Sequence, residues 1–237
     1  MAEVTNKANP SHNTSKPANR AFDLQETLDR AEDFYKKNQN VILGALAAVV
    51  IIVGGYFAYT NFVSKPKEQK AQAMIFHAQE YFARDSFKLA LNGDGNNYGF
   101  LEVISKYNGT KMGNLAHYYA GVSYIHLGDY QKGIDQLKSF SSNDDVLQPL
   151  AYGMTGDAYM ELNKVDDAIA AYKKAGHSSD NALTSPIYLL RAGLALEKAG
   201  KNQEAIEVYK EIKDKYPQTN EGREMEKYLA RLGEVRE

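Results

Sequence analysis

The sequence predicts an all-α protein: one N-terminal transmembrane helix followed by an α-solenoid of helical repeats. Three observations carry this expectation. Val41 to Val63 is a run without a single charged side chain. Beyond Pro66 the apolar residues recur at helical spacing almost throughout. That same stretch also resembles itself at a period in the mid-thirties.

Residues 1–20, rich in Asn, Ser, Thr and Lys with two prolines, hold too little apolar surface to order themselves and are expected to be disordered. From Asp23 the pattern changes. Asp23 with Glu26 reads as a capping box, and Leu24, Leu28, Ala31 and Tyr35 recur on one helical face. This short amphipathic helix either lies on the membrane surface or feeds the span. Residues 1–40 are thus a tail plus a lead-in, neutral overall, so the chain's net charge of −2 falls beyond the anchor.

At 1.5 Å of rise per residue, the 41–63 run makes a helix of roughly 34 Å, against a hydrocarbon core of about 30 Å. It is longer than a signal-peptide core and is expected to be a retained anchor. Lys36 and Lys37 before it are matched by Lys65 and Lys67 after it, so flanking charge leaves its direction open. Tyr56, Phe57, Tyr59 and Phe62 form an aromatic girdle that sets depth. Gly44 with Ala48, and Gly54 with Ala58, would let another helix approach closely.

The repeat region, 67–237, is read from three aligned segments: AHYYAGVSYIHLGDYQKGIDQLKSF from Ala116, AYGMTGDAYMELNKVDDAIAAYKKA from Ala151, and YLLRAGLALEKAGKNQEAIEVYKEI from Tyr188. Gly121, Gly156 and Gly193 share a column on the first helices, as do Gly133, Ala168 and Ala205 on the second. Small residues at those places let antiparallel helices approach, and Leu137, Tyr172 and Tyr209 fill the flanking space. The turns HLGDY, ELNKV and KAGKN each offer a Gly or Asn for a left-handed helix end, and Pro217 stops the last second helix. A divergent unit precedes these: a helix over about 67–91, the insertion NGDGNNYG, then GFLEVISKY with Gly99 in the small column. Met225, Tyr228, Leu229 and Leu232 form the apolar stripe of a final capping helix.

This pattern resembles the tetratricopeptide repeat. The resemblance implies that the first helices line a concave groove, and it places there Tyr118, Val122, Ile125 and His126 from one unit, Asp157, Met160 and Glu161 from the next, then Leu190, Leu194, Glu197 and Lys198. The lysine and asparagine clamp of chaperone-binding members is missing. The mixture of aliphatic and tyrosine residues suits an amphipathic helix or an extended apolar segment, unless neighbouring helices cover it.

Composition argues against other classes. With no basic excess, nucleic-acid binding is not expected, and with no cysteine there are no disulfides or thiolate sites. The run Asn92 to Asn97 starts like a calcium loop but has Asn97 and Val103 where an EF-hand needs glycine and an acid. No HExxH or GxSxG occurs. The expected protein is not an enzyme and uses no metal or cofactor.

Together the anchor, the repeats and the stretches YFARDSFKLALNGDG, YGFLEVISKYNGTKMGNLAHYYAG and KYPQTNEGREMEKYLARL resemble the family of the ancillary subunit of the bacterial Sec translocon. That resemblance implies a single-pass inner-membrane protein with a periplasmic domain. Its partners would be translocon subunits, a periplasmic chaperone or nascent chains, and a homo-oligomer is possible. The alternative expectation is an oligomeric assembly module of a cell-envelope or cell-division complex.

Overall fold

The structure is a computed structural model and describes residues 24–234. The expected tail, Asp23 and the Glu26 side chain of the expected capping box lie outside the described residues. What is described falls into two compact units, one reaching to Ala58 and one beginning at Tyr59.

The first unit is a single helix. α1 runs from Leu24 to Tyr59, joining the expected lead-in and the apolar run without a break at Asn38–Asn40. Neither asparagine competes successfully with the helix: the Asn38 side chain donates back to the Phe34 carbonyl at 2.8 Å and leaves the backbone ladder intact. Among the described residues this is the helix long and apolar enough to cross a membrane. Ile51 and Ile52 lie 73 and 69 % exposed, an arrangement that water penalises and lipid does not.

In the second unit, Thr60–Ser64 forms a π turn in which the Lys65 N–H reaches back to Thr60. Pro66 supplies the reason. Its ring cannot donate to the Phe62 carbonyl and crowds it, so the backbone widens by one residue before regular helix resumes. The last residues of the expected span therefore depart from α geometry.

Among the described residues ten helices follow, packed as successive hairpins with α11 set against the last one: α2 (Lys65–Ala83), α3 (Phe87–Asn92), α4 (Phe100–Tyr107), α5 (Lys111–His126), α6 (Tyr130–Ser139), α7 (Leu147–Glu161), α8 (Val165–His177), α9 (Ser185–Lys198), α10 (Asn202–Lys215) and α11 (Asn220–Arg231). One turn recurs at the end of every first helix. Asp85, Gly128, Asn163, Gly200 and Gly233 are left-handed, and the next residue's N–H closes onto Tyr81, Tyr124, Tyr159, Leu196 and Leu229 respectively at 2.9–3.0 Å. Glycine adopts this geometry freely, and Asn and Asp tolerate it through their short polar side chains.

Measured from these turns, the repeat register is unambiguous. Ala90, Gly133, Ala168 and Ala205 each stand five residues past the left-handed residue, and their N–H groups bond to Ser86, Asp129, Lys164 and Lys201. This corrects the first unit. The helix expected over 67–91 ends at Ala83, residues 87–92 begin the second helix, and Ala90 rather than Gly99 occupies the small column. The insertion interrupts that second helix. Phe100 stands 15 residues past Asp85 where Tyr209 stands nine past Gly200, so the loop adds six residues and the chain then regains register. Phe100 stacks on Tyr119 at 5.2 Å, and the α4–α5 junction repeats the α10–α11 junction: Thr110 caps Gly113 as Thr219 caps Gly222.

Seven residues before each turn lie Ala78, Gly121, Gly156 and Gly193. A Cβ added at Gly121 or Gly156 would come within 2.6 Å of Leu137 or Tyr172, and at Gly193 it would collide with Tyr209. Backbones approach here because no side chain intervenes. In α11, which packs on α9 and α10, that place holds Glu226.

Candidate functional site

The first helices α2, α5, α7, α9 and α11 place their equivalent positions on one side of the stack. In the α5 segment that side is filled from within. Val122 is only 6 % exposed, packed with Leu137, Phe140 and Ala151, so it belongs to the core rather than to a contact surface. Tyr118 is half-buried between Tyr119 and Phe140, its hydroxyl pushed upward in pKa chiefly by burial. Ile125 leans on the same cluster and crowds Gly133. His126 is exposed but lies flat on Phe87, ring centroids 4.3 Å apart.

The next segments carry a polar network that residue spacing alone did not reveal. Asp157 accepts from the Tyr172 hydroxyl at 2.6 Å and from Arg191 Nη1 at 2.6 and 2.7 Å. One repeat later Glu197 accepts from the Tyr209 hydroxyl and from Arg231 Nη2, both at 2.5 Å. Each acid thus joins the tyrosine of its own hairpin to an arginine 34 residues ahead on the following first helix. The arginines also lie over Tyr188 and Tyr228, three residues back on their own helices. The signal was present as Tyr-Leu-Leu-Arg at 188–191 and Tyr-Leu-Ala-Arg at 228–231.

The electrostatics follow from this packing. Burial first, then the Asp157 carboxylate, pushes the Tyr172 hydroxyl well above the ordinary tyrosine range. Burial and the neighbouring Glu197 do the same to Tyr209. Tyr188, whose ring fills the space above Gly153, is pushed up to about 12, again chiefly by burial. These groups are donors locked neutral, suited to holding helices together.

On α9 this face also leaves large apolar side chains open. Leu194 is 40 % exposed and Ile187, two turns earlier on α9, is 36 % exposed; Leu183, just before the helix, is 63 % exposed. Leu190 lies between them, partly covered by the core. A shallow cleft lined by Met160, Leu194 and Lys198 runs beside the Asp157–Arg191 pair. Glu161 and Lys198 are exposed. Of the expected contact set, Met160, Leu194 and Lys198 therefore line one cleft, with Leu190 a turn of α9 away from Leu194, while Asp157 and Glu197 are engaged in linking repeats.

The insertion loop is closed on itself. Asp94 accepts from the backbone N–H groups of Asn96 and Asn97 and from the Tyr81 hydroxyl, which hold its carboxyl well below the usual range.

Comparison with known proteins agrees with this architecture. Residues 121–182 and 154–219 match the tetratricopeptide repeat family model. Among solved structures the chain is similar to a putative kinesin light chain from Podosopora anserina, described as having nearly identical TPR-like repeats. The TM-score is 0.50 at 12 % identity, covering 69 % of this chain and 84 % of that one. No curated protein matches the sequence. The chain thus contains tetratricopeptide repeats on an all-helical, TPR-like solenoid, an architecture that in general binds proteins.

Proposed function

We propose that this chain is a membrane-tethered, non-catalytic scaffold for protein–protein interaction. In this reading α1 crosses the bacterial inner membrane once, and the repeats stand in the periplasm as an accessory to the Sec translocon and its chaperones or client chains. The observation that carries the scaffold role is the uncovered apolar run Leu183, Ile187 and Leu194 on the α9 surface, beside the Asp157–Arg191 ion pair. An amphipathic helix or extended apolar segment laid along it would bury those side chains against Met160 and Leu190. The translocon assignment rests on the resemblance of the anchor and repeat stretches, and the anchor reading on the length and exposure of α1.

The test places a photo-crosslinking amino acid at Leu194 in the full-length protein in intact cells, with and without Ile187→Asp. Crosslinks to translocon subunits, a chaperone or nascent chains, lost in the Ile187→Asp background, are expected. Ile187 is preferred over Tyr118 because changing a half-buried tyrosine would disturb folding. Crosslinking that persists unchanged with Ile187→Asp would remove the α9 surface from the proposal, and protection of the repeats from protease in intact spheroplasts would remove the periplasmic placement.

A further inference from the structure

The second helices form their own face, and two of its seams are built differently. Between α8 and α10, acid meets base: Lys173 pairs with Glu204 at 3.3 Å and His177 with Glu211 at 3.1 Å. Between α6 and α8 the corresponding residues do not close. Lys138 stands ten past Gly128 as Lys173 stands ten past Asn163, and Asp167 takes the place of Glu204, four past its turn. Asp167 is one methylene shorter. Lys138 turns instead to the Tyr159 hydroxyl at 2.8 Å, a bond that raises its pKa.

Three further differences open this seam. Ala170, Ala171 and Lys174 of α8 stand where α10 carries Glu207, Val208 and Glu211. The result is a cavity of about 420 Å³, walled by the rings of Tyr152 and Tyr159 and by the two alanines, with Leu137 and Phe140 behind them. Both walls carry a cation. The Lys174 ammonium lies 4.1 Å from the Tyr152 ring centroid, and among the described residues neither it nor Lys138 has a carboxylate oxygen within 4.0 Å. With two lysines and Asp167 as the charged lining, the cavity has a surplus of one positive charge.

We propose that the α6–α8 seam is a second binding site, separate from the α9 surface, that takes a carboxylate carried on a small aromatic or branched apolar body. The carboxylate completes the charge pattern that Glu204 and Glu211 complete in the next seam, and the body fills the space over Ala170 and Ala171. A single negative charge matches the surplus. An ammonium resting on a tyrosine face keeps its N–H groups for such an anion. The carboxylate can come from a free small acid or from the end of a polypeptide, and the two differ only in what extends beyond the cavity mouth.

The experiment uses the full-length protein in nanodiscs and ligand-observed NMR with four probes: 3-phenylpropionate, its amide, the tripeptide Gly-Gly-Phe and its C-terminal amide. Both free carboxylates are expected to bind and both amides to lose about tenfold or more in affinity, the loss of a charge-assisted contact. Tighter binding of the tripeptide marks a chain end as the natural source, and tighter binding of phenylpropionate marks a small acid. Asp167→Glu, which rebuilds the ion pair of the neighbouring seam, is expected to weaken both probes while leaving the thermal midpoint at or above its original value. Ala171→Phe, which fills the cavity, is expected to abolish binding. Equal binding of acid and amide, or affinity unchanged in Asp167→Glu and in Lys138→Gln/Lys174→Gln, overturns the proposal.

Discussion

Replacing Glu197 by alanine tests whether the acid–tyrosine–arginine links hold successive repeats together. Tyr209 is fully buried, and its hydroxyl donates to Glu197 at 2.5 Å; removing the acceptor strands that hydroxyl, at about 1–3 kcal/mol. The Arg231 contact is worth less. Its side chain is 49 % exposed, so solvent screening holds the ion pair to at most about 1 kcal/mol. Glu197→Ala is therefore expected to cost about 2–3 kcal/mol and Arg231→Ala about 0.5 kcal/mol. The pairing with Tyr209 is isolated by a cycle: Tyr209→Phe removes the donor, so Glu197→Ala made in that background should cost at least about 1 kcal/mol less than in the original protein. The assay is urea unfolding of the full-length protein in detergent, followed by tyrosine fluorescence, which reports the repeats rather than the tyrosine-poor centre of α1. Equal costs for Glu197→Ala and Arg231→Ala, or additivity with Tyr209→Phe, would refute the reasoning and return Glu197 to the pool of contact residues.

Two other outcomes follow from the packing. Ala168→Leu places a large side chain at a fully buried position on the seam between α7 and α8, and the urea midpoint should fall by an amount corresponding to about 1–3 kcal/mol; an unchanged midpoint would contradict the close approach of those helices. Spectrophotometric titration of the tyrosines at 295 nm should show late phases, with Tyr188 ionising near 12 and Tyr172 and Tyr209 later still. Because these folded-state values are raised, their contribution to stability is complete below pH 10 and is lost as pH rises toward and through them. Heat denaturation should accordingly ease between pH 10 and 12, and one tyrosine transition near 10 with the fold intact would contradict the burial.

The repeats were legible because they rest on local chemistry written in single residues. A left-handed turn needs Gly, Asn or Asp, and a close helix approach needs Gly or Ala, so Gly128, Asn163 and Gly200 and the small columns stand out in any alignment. Asp85 was harder to see. Without that turn the run through Leu91 looks like one helix, and Gly99 becomes the natural candidate for a column that Ala90 fills. The contact set was legible only as a face. Periodicity puts Val122 and Leu194 at equivalent places, six residues before their turns, and nothing local distinguishes them.

By itself, then, the sequence determined the all-helical class, the uncharged run, the hairpin period and the side of the hairpins that carries the expected contacts, because each depends on spacing along one helix or across one turn. Tertiary structure decided which of those residues remain open. Phe140 and Ala151 cover Val122 from later elements, whereas Leu194 meets no such neighbour. It also decided that Asp157 and Glu197 face arginines 34 residues away and that Lys138, lacking a long enough acid across the seam, borders a cavity. Exposure and pairing belong to residues brought together across repeats, as the short Asp167, the small Ala170 and Ala171, and Lys174 together leave one seam open where its neighbour closes.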